Sequence, residues 1–99
     1  IMAIYISLNT LTDQGARNVK DTTARADAFR DAAKKFGVTV KDVYWTLGTY
    51  DAVCVLDAPD DSAIAALQAS LAAAGNMRTV TLRAFSRDEM GAILARVGM

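Results

Sequence analysis

The side chains of this sequence that could do chemistry are Tyr44-Trp45, Tyr50-Asp51 and Arg83. A phenol can donate a proton or a hydrogen bond, a carboxylate can act as a base, and a guanidinium can clamp an anion. Asp51 opens a strand, and with Arg83 beside it the pair has three uses. It can be an ion pair that fixes a hairpin, it can bind a polar ligand, or, once desolvated, it can act as a base with its orienting cation. The sequence leaves all three open. The rest of the inventory is narrow. There is no histidine, which removes the commonest general base and metal ligand. With one cysteine as well, neither a closed zinc site nor a Ser-His-Asp or Cys-His arrangement can form. No glycine-rich loop has phosphate-binding spacing, so no metal and no cofactor is expected. Cys54, set among apolar neighbours, reads as a buried inert thiol. Asp60-Asp61 reads as a helix cap. Arg25, Arg30, Lys34 and Lys35 lie off their helix's apolar stripe and read as a solvated face.

The elements that must position these residues follow from periodicity. Residues 2–10 alternate, with Met2, Ile4, Ile6 and Leu8 on one side and Ala3, Tyr5, Ser7 and Asn9 on the other, which predicts a strand. Thr12-Asp13-Gln14-Gly15 punctuates the chain, and a short helical turn is expected around 16–19. Thr22, Ala26, Phe29, Ala33 and Phe36 are spaced for a helix over 22–36, with Asp21 as its cap and Gly37 as its stop. Residues 38–47 and 52–56 are rich in β-formers and form a hairpin around Gly48-Thr49-Tyr50. Pro59-Asp60-Asp61 opens a second helix striped by Ile64, Leu67, Leu71 and Ala74, and Gly75-Asn76 stops it. A fourth strand over 77–85 and a last helix opened by the Ser86/Glu89 capping box follow, with Met90, Ile93, Leu94 and Val97 inward. The order β-α-β-β-α-β plus a helix predicts an α+β, ferredoxin-like split β-α-β domain over residues 2–99. Its first and third strands are central and both main helices lie on one face.

Composition bounds the partners. Lys plus Arg and Asp plus Glu number 11 each, for a formal charge of zero. No global pull toward nucleic acid or an anionic membrane surface follows. No run approaches the ~20 apolar residues of a membrane span, and no basic leader precedes the first strand. Ile1 precedes Met2, the natural start, and is set aside as a remnant. The expected compartment is the cytoplasm. The sheet face away from the helices is assigned Tyr5, Ser7, Asn9, Trp45, Thr79, Thr81, Arg83 and Phe85. Its aromatics are too apolar for water, so a second copy packing sheet against sheet is expected to cover them, with any small-molecule ligand at the interface edge; the alternative is an open ligand platform.

These residues resemble a known family. Trp45-Thr46-Leu47-Gly48-Thr49-Tyr50-Asp51 looks like the signature of the GYD family, small bacterial and archaeal proteins named for Gly-Tyr-Asp. Thr12-Asp13-Gln14-Gly15 with Asn18, Asn76-Met77-Arg78-Thr79 and Thr81-Leu82-Arg83-Ala84-Phe85 are similar to its other segments. The resemblance covers about residues 3–95. Thr49 stands between Gly48 and Tyr50, a departure that leaves no charge there. The resemblance implies a dimeric α/β-barrel-like fold and supplies no reaction, so no catalytic residue is carried over. The ligand-binding candidates are Tyr5, Asn9, Trp45, Tyr50, Asp51, Thr81 and Arg83, with Gly48 a further family position. The first functional expectation is a cytoplasmic homo-oligomer binding a small metabolite at the sheet interface. An alternative is a small cofactor-independent oxygenase, isomerase or decarboxylase using Tyr50 as acid, Asp51 as base and Arg83 as anion clamp. A third is a partner-binding or regulatory domain of a larger complex.

Overall fold

The alternation at the N-terminus forms strand β1 (Ala3–Leu11), and the punctuating segment becomes a one-turn helix α1 (Asp13–Arg17) capped by Thr12. A 3-10 turn over Val19–Asp21 runs into α2 (Thr22–Lys34). The hairpin strands are β2 (Thr39–Trp45) and β3 (Ala52–Ala58). The helix α3 (Asp61–Ala74), the strand β4 (Met77–Ala84) and the helix α4 (Arg87–Leu94) complete the chain. The computed structural model describes residues 2–98. The sheet order is β2-β3-β1-β4 with every pair antiparallel, so the two most apolar strands are central as expected and the architecture is α+β with ferredoxin-like topology.

Local chemistry fixes the ends. Asp60 accepts a hydrogen bond from the Ala63 amide and caps α3, and Gly75 closes it in the left-handed region at φ 81°, a conformation that glycine adopts without a side-chain clash. Ser86 and Glu89 form the expected capping box of α4. Asp21 departs from expectation: it precedes α2 but makes no side-chain cap, because the 3-10 turn already feeds the helix.

The core lies between the sheet and the two main helices. Tyr5, Val38, Val40, Cys54, Leu56 and Ala58 of the sheet side meet Ala33, Ile64 and Leu67 of the helices. This corrects the face assignment. Tyr5, Ser7 and Asn9 are buried under the helices, and their ladder partners Arg83, Thr81 and Thr79 stand on the same side. The open face carries Ile4, Ile6, Leu8, Val53, Val55, Val80 and Leu82 instead. Alternation defines two faces but not which is covered, since both sides of β1 are partly apolar. The last helix is corrected too. Met90, Leu94 and Val97 are exposed, because α4 leaves the sheet edge and makes no extensive contact with another element among the described residues. Its projection stretches the molecule to 53 × 31 × 18 Å, with a radius of gyration of 14.9 Å against about 13 Å for a compact chain of this length. The edge strand β2 is bulged between Val40 and Asp42.

Burial sorts the leucines. Leu67 is 2% exposed and Leu47, at the hairpin tip, is fully exposed. Leu67→Ala is expected to lower the unfolding free energy by about 2–4 kcal/mol, and Leu47→Ala to stay within about 0.5 kcal/mol, as read by urea denaturation.

Candidate functional site

Three sequence segments meet where β1 ends. The Leu11 amide donates to the Asp51 carboxylate at 2.8 Å, and the Asp51 amide donates to the Asn9 carbonyl at 2.8 Å. Thr46 closes the hairpin, its hydroxyl on the Tyr50 carbonyl at 2.6 Å and its amide on the Asp51 carbonyl at 2.9 Å. On the other side of β1 the Thr12 amide donates to the Asn76 carbonyl at 3.1 Å, and the Thr12 hydroxyl donates to the Gly75 carbonyl at 2.6 Å. The Gln14 side-chain amide donates to the Ala74 carbonyl and to the Asn76 side chain, both at 3.1 Å. Gly15 is buried here because the turn over residues 75–76 leaves no room. A Cβ on it would stand 2.0 Å from the Asn76 carbonyl oxygen. Of the three uses open to Asp51, its observed partner is a main-chain amide of β1.

The sequence-derived candidates divide between the two ends of the sheet. Tyr50 and Asp51 stand at the β1 C-terminal end. Arg83 pairs with Tyr5 in the ladder, and Ala52, next to Asp51, pairs with Asn9. Four residues of strand, about 13 Å, separate those rungs. Arg83 therefore does not meet Asp51. Its guanidinium donates to the Ile4 carbonyl at 3.2 Å and to the Ala84 carbonyl, and lies 3.9 Å from Glu89. It stacks over Phe85 at 4.4 Å and over Tyr5 at 5.6 Å, within cation–π range. The Tyr5 hydroxyl donates to the Asp61 carboxylate at 2.5 Å. That acceptor, with burial adding to it, holds the phenol proton and pushes the Tyr5 pKa up. The Ser86 main-chain amide donates to Glu89 and holds its carboxyl below the usual range.

Asn9 is the hub of a buried polar cluster. Its side-chain amide donates to the Ser7 hydroxyl at 3.1 Å and carbonyl at 3.3 Å, and to Cys54 Sγ at 3.8 Å. Its carbonyl accepts from the Thr79 hydroxyl at 2.8 Å. The Thr81 hydroxyl donates to Gln68 of α3 at 2.6 Å. Burial pushes the Cys54 thiol up, which leaves it protonated at neutral pH and weakly nucleophilic.

Asn9 and Trp45 also line a cleft of about 280 Å³ between α2 and α3. Its walls include Ala26, Phe29, Ala32, Leu71 and Ala74, with Arg25 among them. The Trp45 indole N–H donates to the Thr22 hydroxyl at 3.0 Å and ties β2 to α2. Tyr5, Tyr50, Asp51, Thr81 and Arg83 do not line it. Sequence reasoning missed this cleft. Of the bases read as a solvated face, Arg30 is exposed and also donates to the Val40 carbonyl at 2.6 Å, while Arg25 is half-buried, lines the cleft and donates to the Asn18 carbonyl at 2.7 Å. The available signal was the run of alanines on the inward sides of both helices.

A ferredoxin-like sheet, helices over one face and an apolar face left open define the class: a small α+β domain with one uncovered sheet face. The chain belongs to the GYD domain family, whose model matches residues 5–94. It is 38% identical over 84 residues to a Thermus thermophilus protein named "Glutamine synthetase and cystathionine beta-lyase binding protein", covering 84% of this chain and 88% of that one. No solved structure gives a significant match. None of the helices described is long and apolar enough to cross a membrane.

Two outcomes test the site geometry. Gly15→Ala is expected to cost about 2–3 kcal/mol in chemical denaturation, since the clash is with main chain that cannot swing away. The raised Tyr5 pKa contributes stability that is full below the ordinary tyrosine value near 10 and is lost as pH rises through the folded value. Absorbance titration of the three tyrosines is expected to show one ionising late, and Tyr5→Phe to remove that step and flatten the alkaline loss of stability.

Proposed function

We propose that this chain is a non-catalytic, cytoplasmic protein-binding module that pairs with a second copy through its open sheet face. The observation that carries the proposal is that face. Val80, Leu82 and Tyr44 are each roughly half exposed there, around a centre of Ile4, Ile6, Leu8, Val53 and Val55. Asp42, Asp57, Thr10 and Arg78 border it. An apolar centre within a polar rim is the anatomy of a protein interface, and a face that repeats itself by two-fold symmetry needs no second kind of chain. The fully exposed Leu47 and the α4 stripe are further apolar surfaces for clients. The relative's name supports enzymes as those clients, of the glutamine synthetase or cystathionine β-lyase kind.

A small-metabolite role is a second reading, supported by the cleft between α2 and α3 rather than by the sheet edge. The enzyme alternative loses the convergence it required, since Tyr50 with Asp51 and Arg83 occupy opposite ends of the sheet.

Native mass spectrometry is expected to give an even-numbered oligomer. Leu82→Asp places an unpaired charge in the interface at a cost of about 3 kcal/mol or more, about a hundredfold in Kd. The variant should run as a folded monomer at micromolar concentration. The wild-type chain should co-elute with glutamine synthetase or cystathionine β-lyase of the same cell. A Leu82→Asp variant of unchanged mass removes the face-to-face pairing, and a wild-type chain that retains neither enzyme removes those clients.

A further inference from the structure

We propose that the cleft between α2 and α3 binds a small monocarboxylate with an apolar body, and that Arg25 holds its carboxylate. The proposal rests on the small-metabolite reading and gives it a chemical class. The volume of about 280 Å³ falls just below the usual range of small-molecule sites, which starts at about 300 Å³, so the fitting ligand is small and not a long-chain lipid. The cleft exists because the sequence puts Ala26, Ala32, Ala52 and Ala74 where larger side chains would close it. Native interiors leave few voids of this size. Water in an apolar cleft gains little there, and an apolar body displaces it favourably.

Arg25 sets the polarity. It is the one charged residue among those lining the cleft, so a cationic ligand would meet no counter-charge. Its Nη1 is fixed on the Asn18 carbonyl at 2.7 Å. Its Nη2 is shut off from solvent and has no hydrogen-bond partner among the described residues. A guanidinium donor left so is costly, and turning the half-buried Arg25 side chain into the cleft would let a carboxylate answer it with acceptor oxygens in matching geometry. Thr22 and Arg25 belong to the first turn of α2, a helix of 13 residues, whose positive end favours the same charge. Neither residue belongs to the open sheet face, so ligand and protein partner occupy different layers.

Trp45 lines the cleft and is the sole tryptophan, so its fluorescence reports occupancy. The full chain is titrated with octanoate and phenylpropanoate and with the matching alcohols, octanol and phenylpropanol, by fluorescence and calorimetry. At least one acid is expected to bind saturably, one per chain, about tenfold or more tighter than its alcohol. Arg25→Gln should reduce the acid to the affinity of the alcohol and leave alcohol binding and oligomer mass unchanged. Arg25→Lys, which keeps charge and loses the fork, should fall between. Ala32→Phe, filling the cleft, should abolish both. Circular dichroism confirms that each variant is folded. Equal affinity for acid and alcohol, or an Arg25→Gln variant that binds the acid as the wild type does, overturns the carboxylate assignment and leaves the cleft as a small-molecule site. No saturable signal with any probe overturns both.

Discussion

The end of β1 is held from both sides by hydrogen bonds to its main-chain amides. Its Leu11 amide is met by the Asp51 carboxylate from the hairpin, and its Thr12 amide by the Asn76 carbonyl from the turn before β4. Main-chain groups half-sealed in this way must be paired. The pairing sets the register of the central strand against both neighbours. Register then decides everything above and below the sheet, since a slip of one residue would exchange its two faces. It puts Tyr5, Ser7 and Asn9 beneath the helices and Ile4, Ile6 and Leu8 on the other side. Gly15 belongs to the same joint, where a side chain would push the turn over residues 75–76 away from β1.

The two faces so defined are unequal. Beneath the helices the polar residues Ser7, Asn9, Thr79 and Thr81 are matched to one another or to Gln68, and the alanine-rich helices stand apart over them. The opposite face is uniformly aliphatic along its centre. A hydrogen-bonded interior and an aliphatic exterior suit a domain whose own fold is secured by specific contacts, while association with another molecule is driven by non-directional burial.

Much of the fold was legible in the sequence. Strong periodicities gave every strand and main helix, and Ser86 with Glu89 gave the start of α4, because caps and alternation are local signals. The faces of β1 were read inverted because Tyr5 and Ile4 are comparably apolar and only the ladder partners, which are distant in sequence, decide between them. The stripe of Met90, Leu94 and Val97 announced a helix face that wants cover but not that the described residues leave it largely exposed. The importance of Tyr50-Asp51 and Thr12–Gly15 was visible, while their meeting at one joint depends on contacts across about forty to sixty residues of chain. Arg83 and Asp51 looked like partners only because their separation along β1 is a matter of register. Arg25 looked like solvated charge because helical periodicity carries no information on how far apart two helices stand.

The bulge between Val40 and Asp42 bears on what kind of assembly is open to the domain. An edge strand with a regular ladder invites another strand beside it, and repeated sideways addition grows fibres. In β2 the irregularity falls mid-strand, with Lys41 exposed and 3.7 Å from Asp57. A bulge and a lysine on the edge both discourage lateral growth. The proposed association through the face, in contrast, would bury the sheet's apolar surface in a single two-fold step and leave no identical face free to continue. The β2 edge is thus unsuited to strand addition, while the opposite edge, β4, keeps a regular ladder and carries Arg78 and Arg83 as its charges.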